Sequence, residues 1–378
     1  MKRGISNAGR LTANVEADPL RKALKHSFAF WAFVAPVVLL VDAARQHRFA
    51  LDFSHAFLPA AHAVLHGGSP YSAIGSRALS EGTAFLYPPL AAYLLVPFTL
   101  LPTTVSEVLA TVVVAATVPA TLLVLGVRDW RCHAVAFLWF PTIVGLQTAN
   151  VTLPLVLGVA LAWRYRDHRV VAPLVTALVI AVKLVFWPLL IWLLATRRYR
   201  SAALAAASSA VLVLVPWAGI GFAGLHGYAH MLSGVSGREG PGSYSVAALL
   251  NPILPTWSTA TAAETVIGVV VLAVVLAVGR RGCDRDAMAL TVVGILVLSP
   301  LVEMHYLALL LVVVGLYRRR LDAAWLAPLL IWGASANGPG GLAMQNVHVV
   351  AVVIVTVVLA MSDWRPWPFA RALRAEAA

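Results

Sequence analysis

The sequence predicts an all-α, polytopic membrane helical bundle. Of its 378 residues, 60% are apolar and only 12% are charged, whereas a soluble domain is roughly half apolar and a quarter charged. The mean hydropathy is +0.84. Because a bilayer crossing needs about 20 apolar residues, this composition supports about 10 to 13 membrane segments.

The positive charge is distributed in short bursts along the chain. Lys and Arg number 28 against 16 Asp and Glu, a net charge of +12. The bursts separate apolar runs, as the bias of basic residues toward cytoplasmic loops requires, and they form no single basic face. We therefore expect contact with the lipid bilayer and no nucleic-acid partner. Cys132 and Cys283 are the two cysteines; they exclude a disulfide framework and lie beside basic clusters, which places them in the reducing cytosol.

Three segments are predicted along the chain. Residues 1–26 form a basic cytoplasmic tail, residues 27–361 a single transmembrane domain, and residues 362–378 a second cytoplasmic tail. The first apolar run is longer than the usual core of a signal peptide, so we interpret it as an uncleaved helix. It leads into an outer loop at residues 45–83. The chain is thus expected to be a multi-pass protein of the plasma membrane.

The later basic bursts divide the chain into hairpins whose tips face outside. The hairpins run over 133–163, 170–196, 201–279, 287–317 and 323–361. Several limbs are shorter than the roughly 20 residues of a full crossing, which predicts helices that stop partway around a polar cavity. Residues 84–102 do not fit this scheme. Either they are re-entrant, or the basic cluster from Arg128 to Arg131 breaks the charge rule.

The outer loop contains an amphipathic helical pattern. At about 100° per residue, four apolar residues share one side and three histidines the other: Phe53, Phe57, Ala60 and Val64 against His55, His62 and His66. We expect a helix on the outer membrane surface with its apolar face in lipid. Asp52 precedes it, where a helix N-cap and a functional role are both open. The histidines lack a second set of ligands, so we expect no metal and no other cofactor.

Polar residues interrupt the later apolar runs. A cation such as Lys183 costs about 2.5 to 3.5 kcal/mol there, so it either binds an anionic group such as phosphate or snorkels from a helix end. Gln147 and Asn150 either recognise a sugar or headgroup or join helices. Glu303 and His305 either bind a hydroxyl-rich ligand or form an interfacial turn.

Several motifs occur in an order that matches a known family over residues 30 to 320. They are Asp52-Phe53, then Leu65-His66-Gly67-Gly68-Ser69-Pro70-Tyr71, Phe85-Leu86-Tyr87-Pro88-Pro89, Gly145-Leu146-Gln147-Thr148-Ala149-Asn150, Val182-Lys183-Leu184, Ser243-Tyr244-Ser245, and Leu298-Ser299-Pro300 with His305. The chain resembles the polyprenyl-phosphate-sugar-dependent GT-C glycosyltransferases of bacteria. The resemblance is to the actinobacterial branch that includes α-1,2-mannosyltransferases of phosphatidylinositol mannosides and lipoarabinomannan and a related arabinofuranosyltransferase.

This resemblance implies a GT-C-type fold with an active-site cavity facing the periplasm or cell exterior. In the family, an Asp of the first outer loop is the general base, and Asp52 is the matching position. Three residues are candidates to bind the donor phosphate: Lys183, His305 and His55. Five more are candidates to bind substrate: Gln147, Asn150, Tyr87, Glu303 and Tyr71.

The implied activity is inverting transfer of mannose from a polyprenyl-phosphate donor to a cell-envelope glycolipid or lipoglycan. One alternative is an arabinofuranosyltransferase that uses a polyprenyl-phosphate arabinose donor. Another is a transporter or flippase for a lipid-linked glycan. Transporters usually show paired repeats, and the sequence has no such symmetry.

Overall fold

The computed structural model describes residues 30, 34–73, 75–334 and 341–362, and every regular element in this part of the chain is a helix. The predicted all-α membrane bundle is confirmed. Apart from Ser362, the predicted tails lie outside the described residues. The helices are α1 (34–45), α2 (Phe53–Leu65), α3 (Arg77–Ser80), α4 (Pro89–Leu100), α5 (Thr103–Val124), α6 (Trp130–Leu138), α7 (Phe140–Gln147), α8 (Thr152–Arg164), α9 (Val171–Val182), α10 (Leu184–Ala195), α11 (Tyr199–Gly219), α12 (Leu225–Glu239), α13 (Val246–Leu250), α14 (Trp257–Arg280), α15 (Asp284–Val297), α16 (Met304–Tyr317), α17 (Ala323–Gly333) and α18 (Gly341–Met361).

The bundle contains both long and short helices. Within the described ranges, four helices are long and apolar enough to cross a membrane, namely α5, α11, α14 and α18. Others are much shorter: α9 has 12 residues. A helix of that length extends about 18 Å, less than the roughly 30 Å of the hydrocarbon core. Such helices are too short to cross the core unbroken, in agreement with the short hairpin limbs.

The basic loops gather at one end of the bundle. Arg198, between α10 and α11, donates hydrogen bonds of 2.7 Å to Asp167 and to Asp284. Asp129, between α5 and α6, accepts from the backbone N–H of Leu321 at 3.2 Å. The first contacts join the loops that follow α8, α10 and α14, and the second joins those that follow α5 and α16. The Tyr317 hydroxyl at the end of α16 donates to Asp286 at the start of α15 and brings the two sets together. We term this the basic end; α7, α9 and α15 finish at the opposite end.

Helix α4 stays at that opposite end. Just before α4, the carbonyl of Tyr87 accepts a hydrogen bond from the hydroxyl of Tyr71 in the outer loop. In the last turn of α4, the ring of Phe98 lies 5.4 Å from the ring of Phe53 in α2. Both ends of α4 contact the outer loop or α2, so α4 begins and ends at the same end of the bundle, as the re-entrant alternative requires. Helix α5 then crosses to the basic end, and the basic loop after it joins the others.

The apolar side of α2 packs against protein, and the expectation that it lies in lipid is wrong. Phe53 and Phe57 are each only 1% exposed. The ring of Phe57 lies 6.0 Å from that of Phe85, because the segment leading into α4 covers this side. The three histidines on the other side are exposed, as predicted. Helix α2 opens with a π-helical turn, and Pro59 stands in the first turn of its α-helical part, where proline is tolerated.

Candidate active site

A cavity of about 240 Å³ lies at the end opposite the basic end. It forms where the breaks between α7 and α8, α9 and α10, and α15 and α16 converge with the outer loop and α12. Six of the predicted site residues line it: Asp52, Tyr87, Asn150, Lys183, Glu303 and His305. The structure therefore brings together residues that are far apart in sequence.

Helix breaks direct two charged side chains toward the cavity. Lys183 follows the last residue of α9 with an extended backbone, φ −148° and ψ 104°. Glu303 precedes α16 with φ −86° and ψ 163°. Both residues lie between two helices and line the cavity. This is the arrangement in which irregular backbone is tolerated at membrane depth.

Two backbone hydrogen bonds hold the outer loop against the end of α7. The N–H of Ala50 donates to Gln147 O at 2.6 Å, and that of Phe53 donates to Thr148 O at 3.2 Å. Ala50 and Ala149 both adopt left-handed backbone, with φ of 51° and 48°, which costs about 1 to 2 kcal/mol in a residue with a Cβ. Such strain persists where the surroundings enforce it and is common at functional sites.

Asp52 is held by an amide instead of a cation. Asn150 Nδ2 donates to Asp52 Oδ2 at 2.6 Å. Burial in the outer loop raises the pKa of the Asp52 carboxyl above its ordinary value, and the hydrogen bond from Asn150 opposes this rise. A carboxyl group with a raised pKa is a better proton acceptor than an ordinary surface aspartate.

Lys183 is buried between two tyrosines. Its Nζ donates to Thr152 Oγ1 at 3.2 Å and lies 3.6 Å from the centre of the Tyr306 ring and 5.1 Å from that of Tyr87. Ring faces attract a cation, most strongly where water is excluded. The ammonium group thus remains inside the protein at the cavity, which excludes the snorkelling alternative.

Glu303 and His305 line the cavity at the start of α16. His305 Nδ1 is 3.6 Å from Glu303 Oε2, and the glutamate side chain is 50% exposed. His305 is buried, and its Nε2 has no hydrogen-bond partner within the described part of the chain. Since buried polar atoms are normally hydrogen-bonded, this nitrogen is a candidate contact for a ligand.

Three predicted site residues do not line the cavity. Gln147 Nε2 donates to the carbonyl of Leu39 at 3.2 Å, so its amide joins α7 to α1. His55 is exposed, with Nδ1 at 3.0 Å from Leu51 O. The Tyr71 hydroxyl donates to the Tyr87 carbonyl at 3.0 Å and supports the wall from behind.

Three residues of the site were not predicted from the sequence. Thr152 Oγ1 donates to Asn150 Oδ1 at 2.8 Å, but in the sequence it is an ordinary threonine at the start of a helix. Tyr306 directly follows His305, and this adjacency was the only available signal. Tyr228 lines the cavity from α12 and donates its hydroxyl to Leu86 O at 2.9 Å. Nothing in the sequence indicates that α12 contacts the segment around Leu86.

Metal-binding side chains do not cluster in this region. Among residues 30, 34–73, 75–334 and 341–362, no group of three or more His, Cys, Asp or Glu side chains is arranged to hold a metal ion. The ionic groups at the cavity are one ammonium and two carboxylates, with one imidazole beside them. Such a set can accept a proton and bind a phosphate.

The fold is that of a membrane helical bundle with a cavity lined by polar and charged side chains at one end. Residues 85–303, more than half of the chain, match the family model of glycosyltransferase family 87. The chain belongs to this family and is a membrane glycosyltransferase. The matched range includes Asn150, Lys183 and Glu303, whereas Asp52 and His305 lie outside it. No curated protein and no solved structure matched the chain.

Proposed function

We propose that the chain transfers mannose from a polyprenyl-phosphate donor to a cell-envelope glycolipid or lipoglycan with inversion at the anomeric carbon. The observation that carries this proposal is the placement of Asp52 and Lys183 on one cavity. They are connected through Asn150 and Thr152 instead of pairing directly. The carboxylate and the ammonium therefore both remain available to substrates.

In this mechanism Asp52 is the general base. The acceptor hydroxyl oxygen attacks the anomeric carbon and forms the new C–O bond while the bond from that carbon to the phosphate oxygen breaks. The hydroxyl proton passes to the Asp52 carboxylate. The electron pair of the broken bond remains on the departing lipid phosphate, so this leaving group needs no strong general acid.

Lys183 and His305 stabilise that phosphate. A charge-assisted contact from the Lys183 ammonium compensates the negative charge that grows as the bond breaks. The unpartnered Nε2 of His305 supplies a second contact. The remaining polar side chains of the lining, Tyr87 and Glu303 among them, are suited to hydrogen-bond sugar hydroxyl groups.

The distribution of charge supports an outward-facing cavity. Arginine-rich loops favour the cytoplasmic side, and the basic end carries the loops around Arg131, Arg198 and Arg318. The cavity at the other end then faces the periplasm or cell exterior of the plasma membrane. A donor confined to the bilayer reaches it from the side, past short helices, and the acceptor arrives from outside.

The test is a transfer assay with purified protein in lipid nanodiscs. The donors are polyprenyl-phosphate mannose and polyprenyl-phosphate arabinofuranose, and the acceptors are a panel of phosphatidylinositol mannosides. We expect mannosyl transfer with an inverted anomeric configuration by NMR. Transfer from the arabinose donor alone would replace the sugar and keep the mechanism. No transfer, together with movement of the lipid-linked sugar across vesicles, would overturn the proposal in favour of a transporter.

A further inference from the structure

We propose that Thr152 is a positioning residue whose hydroxyl links Lys183 to Asn150 and thereby helps to hold the Asn150 amide against the Asp52 carboxylate. The four side chains form one chain of hydrogen bonds across the breaks between α7 and α8 and between α9 and α10. This inference rests on the proposed role of Asp52 as the base. It adds a residue that does not itself line the cavity.

Chemistry fixes the direction of every bond in this chain. Asn150 Oδ1 can only accept, so the single hydroxyl proton of Thr152 is directed to it, at 2.8 Å. Thr152 Oγ1 therefore accepts from Lys183 Nζ, at 3.2 Å. Asn150 Oδ1 also accepts from the backbone N–H of Thr152 at 2.9 Å. Because a backbone N–H can only donate, Asn150 cannot flip, and its Nδ2 must face Asp52.

The chain is therefore polarised toward the carboxylate. Each donor points toward Asp52, and successive hydrogen bonds of this kind strengthen one another at low dielectric. Lys183, Thr152 and Asn150 are all buried, so water does not compete for these contacts. Without the hydroxyl, Lys183 loses its hydrogen-bond acceptor and Asn150 keeps only one of two donors to Oδ1.

A purely structural role for Thr152 predicts a different outcome. A threonine that only starts α8 would affect helix stability and leave the titration of Asp52 unchanged. The other titratable groups that face Asp52 are Lys183, His55, Glu303, Tyr87 and Tyr306. The variants below change none of these residues.

The test compares Thr152→Val, which keeps the shape and removes the hydroxyl, with Thr152→Ser, which keeps the hydroxyl. The control is Thr142→Val, since Thr142 is also buried and its hydroxyl has no partner within the described part of the chain. The full-length protein in nanodiscs is titrated by infrared spectroscopy, and the Asp52 carboxyl band is assigned by subtraction of Asp52→Asn. The pH profile of mannosyl transfer from polyprenyl-phosphate mannose is recorded in parallel.

Thr152→Val leaves Asn150 Oδ1 with a single donor, the backbone N–H at position 152. The Asn150 amide is then held less firmly and its hydrogen bond to the ionised carboxylate weakens, so the Asp52 midpoint should rise by about half to one pH unit. The acidic limb of kcat/KM should move upward with it, and kcat/KM should fall about five- to tenfold. Thr152→Ser should restore both, and Thr142→Val should change neither. An unchanged infrared midpoint in Thr152→Val would overturn the inference. If the midpoint moves but Asp52→Asn still transfers sugar, the positioning stands and the proposed base is wrong.

Discussion

Two aspartates at opposite ends of the bundle have pKa values that are shifted in opposite directions. At the basic end, the Arg131 guanidinium lies 2.7 Å from Asp129 and holds the pKa of its carboxyl at about 2. At the cavity, burial raises the pKa of Asp52, and the neutral amide of Asn150 donates a hydrogen bond to its carboxylate. The first aspartate is a permanent anion that joins loops. The second has a higher affinity for a proton than an ordinary aspartate.

The cations differ in the same way. Arg198 binds two carboxylates, those of Asp167 and Asp284, and so joins three loops. Lys183 has no carboxylate within ion-pair distance among the described residues; a hydroxyl and two rings surround it instead. Charge at the basic end is neutralised within the protein, whereas charge at the cavity is left for a ligand. The charged groups at the basic end thus contribute to stability, whereas those at the cavity are free to contact a ligand.

The largest expected difference between the ends is their accessibility across the membrane. Cys283 is exposed at the basic end, and Ser69 is exposed in the outer loop. In a background with both native cysteines replaced by Ser, a cysteine introduced as Ser69→Cys should react with an impermeant thiol reagent in whole cells. Cys283, retained alone, should react only in inverted vesicles, since arginine-rich loops favour the cytoplasm.

Cys132 cannot serve as a reporter in this experiment, because it is buried and its expected lack of reaction would not report orientation. Labelling of Cys283 in intact cells would reverse the assigned orientation. It would place the cavity in the cytoplasm.

Replacing the cavity cation should affect one substrate selectively. Lys183→Met keeps the length of the side chain and removes a charge-assisted contact worth about 1.5 to 3 kcal/mol, a factor of roughly ten to a hundred in donor affinity. Steady-state kinetics should show a raised KM for the polyprenyl-phosphate donor and little change for the acceptor. His305→Ala should act in the same direction. A raised acceptor KM with an unchanged donor KM would instead assign these residues to the acceptor.

At the basic end, we expect a smaller effect, and one on protein stability instead of substrate binding. Arg198→Gln should lower the stability of the protein by about 0.5 to 1.5 kcal/mol, since it removes two partly exposed ion pairs. Transfer per folded molecule should stay at the wild-type rate. The control is Arg200→Gln, because Arg200 is exposed and has no ion pair within the described ranges. Equal melting temperatures of both variants in mild detergent would show that the Arg198 bridges contribute no stability.

Hydropathy and charge were sufficient to predict the fold. The bundle, the short hairpin limbs and the gathering of basic loops follow from apolar runs separated by arginines. The position of α4 did not follow, because a Pro-rich apolar run has the same composition whether it crosses or returns. The covering of Phe53 and Phe57 was also not predictable, since lipid and a neighbouring helix favour the same apolar side chains.

The site was predictable where a residue conflicts with its surroundings. Lys183 in an apolar run is such a conflict, and so is Glu303. Thr152 and Tyr306 were missed because neither residue type conflicts with its position; their roles depend on which atoms the folded chain brings within 3 to 4 Å. The opposite error concerns Gln147, whose amide contacts α1 instead of the cavity. Helical periodicity alone does not distinguish helix packing from ligand binding.

The central claim, that Asp52 is the base, is tested most directly by two isosteric changes in one cavity. Asp52→Asn and Glu303→Gln each replace a carboxylate with an amide, and both are compared with wild type in single-turnover mannosyl transfer at saturating donor. Asp52→Asn should lose at least about a hundredfold in rate, the scale of general-base catalysis, with donor binding retained. Glu303→Gln should stay within about tenfold of wild type, since Glu303 contributes hydrogen bonds and an electrostatic interaction with Lys183 but does not take the proton. Near wild-type transfer by Asp52→Asn, with the large loss in Glu303→Gln, would contradict the account.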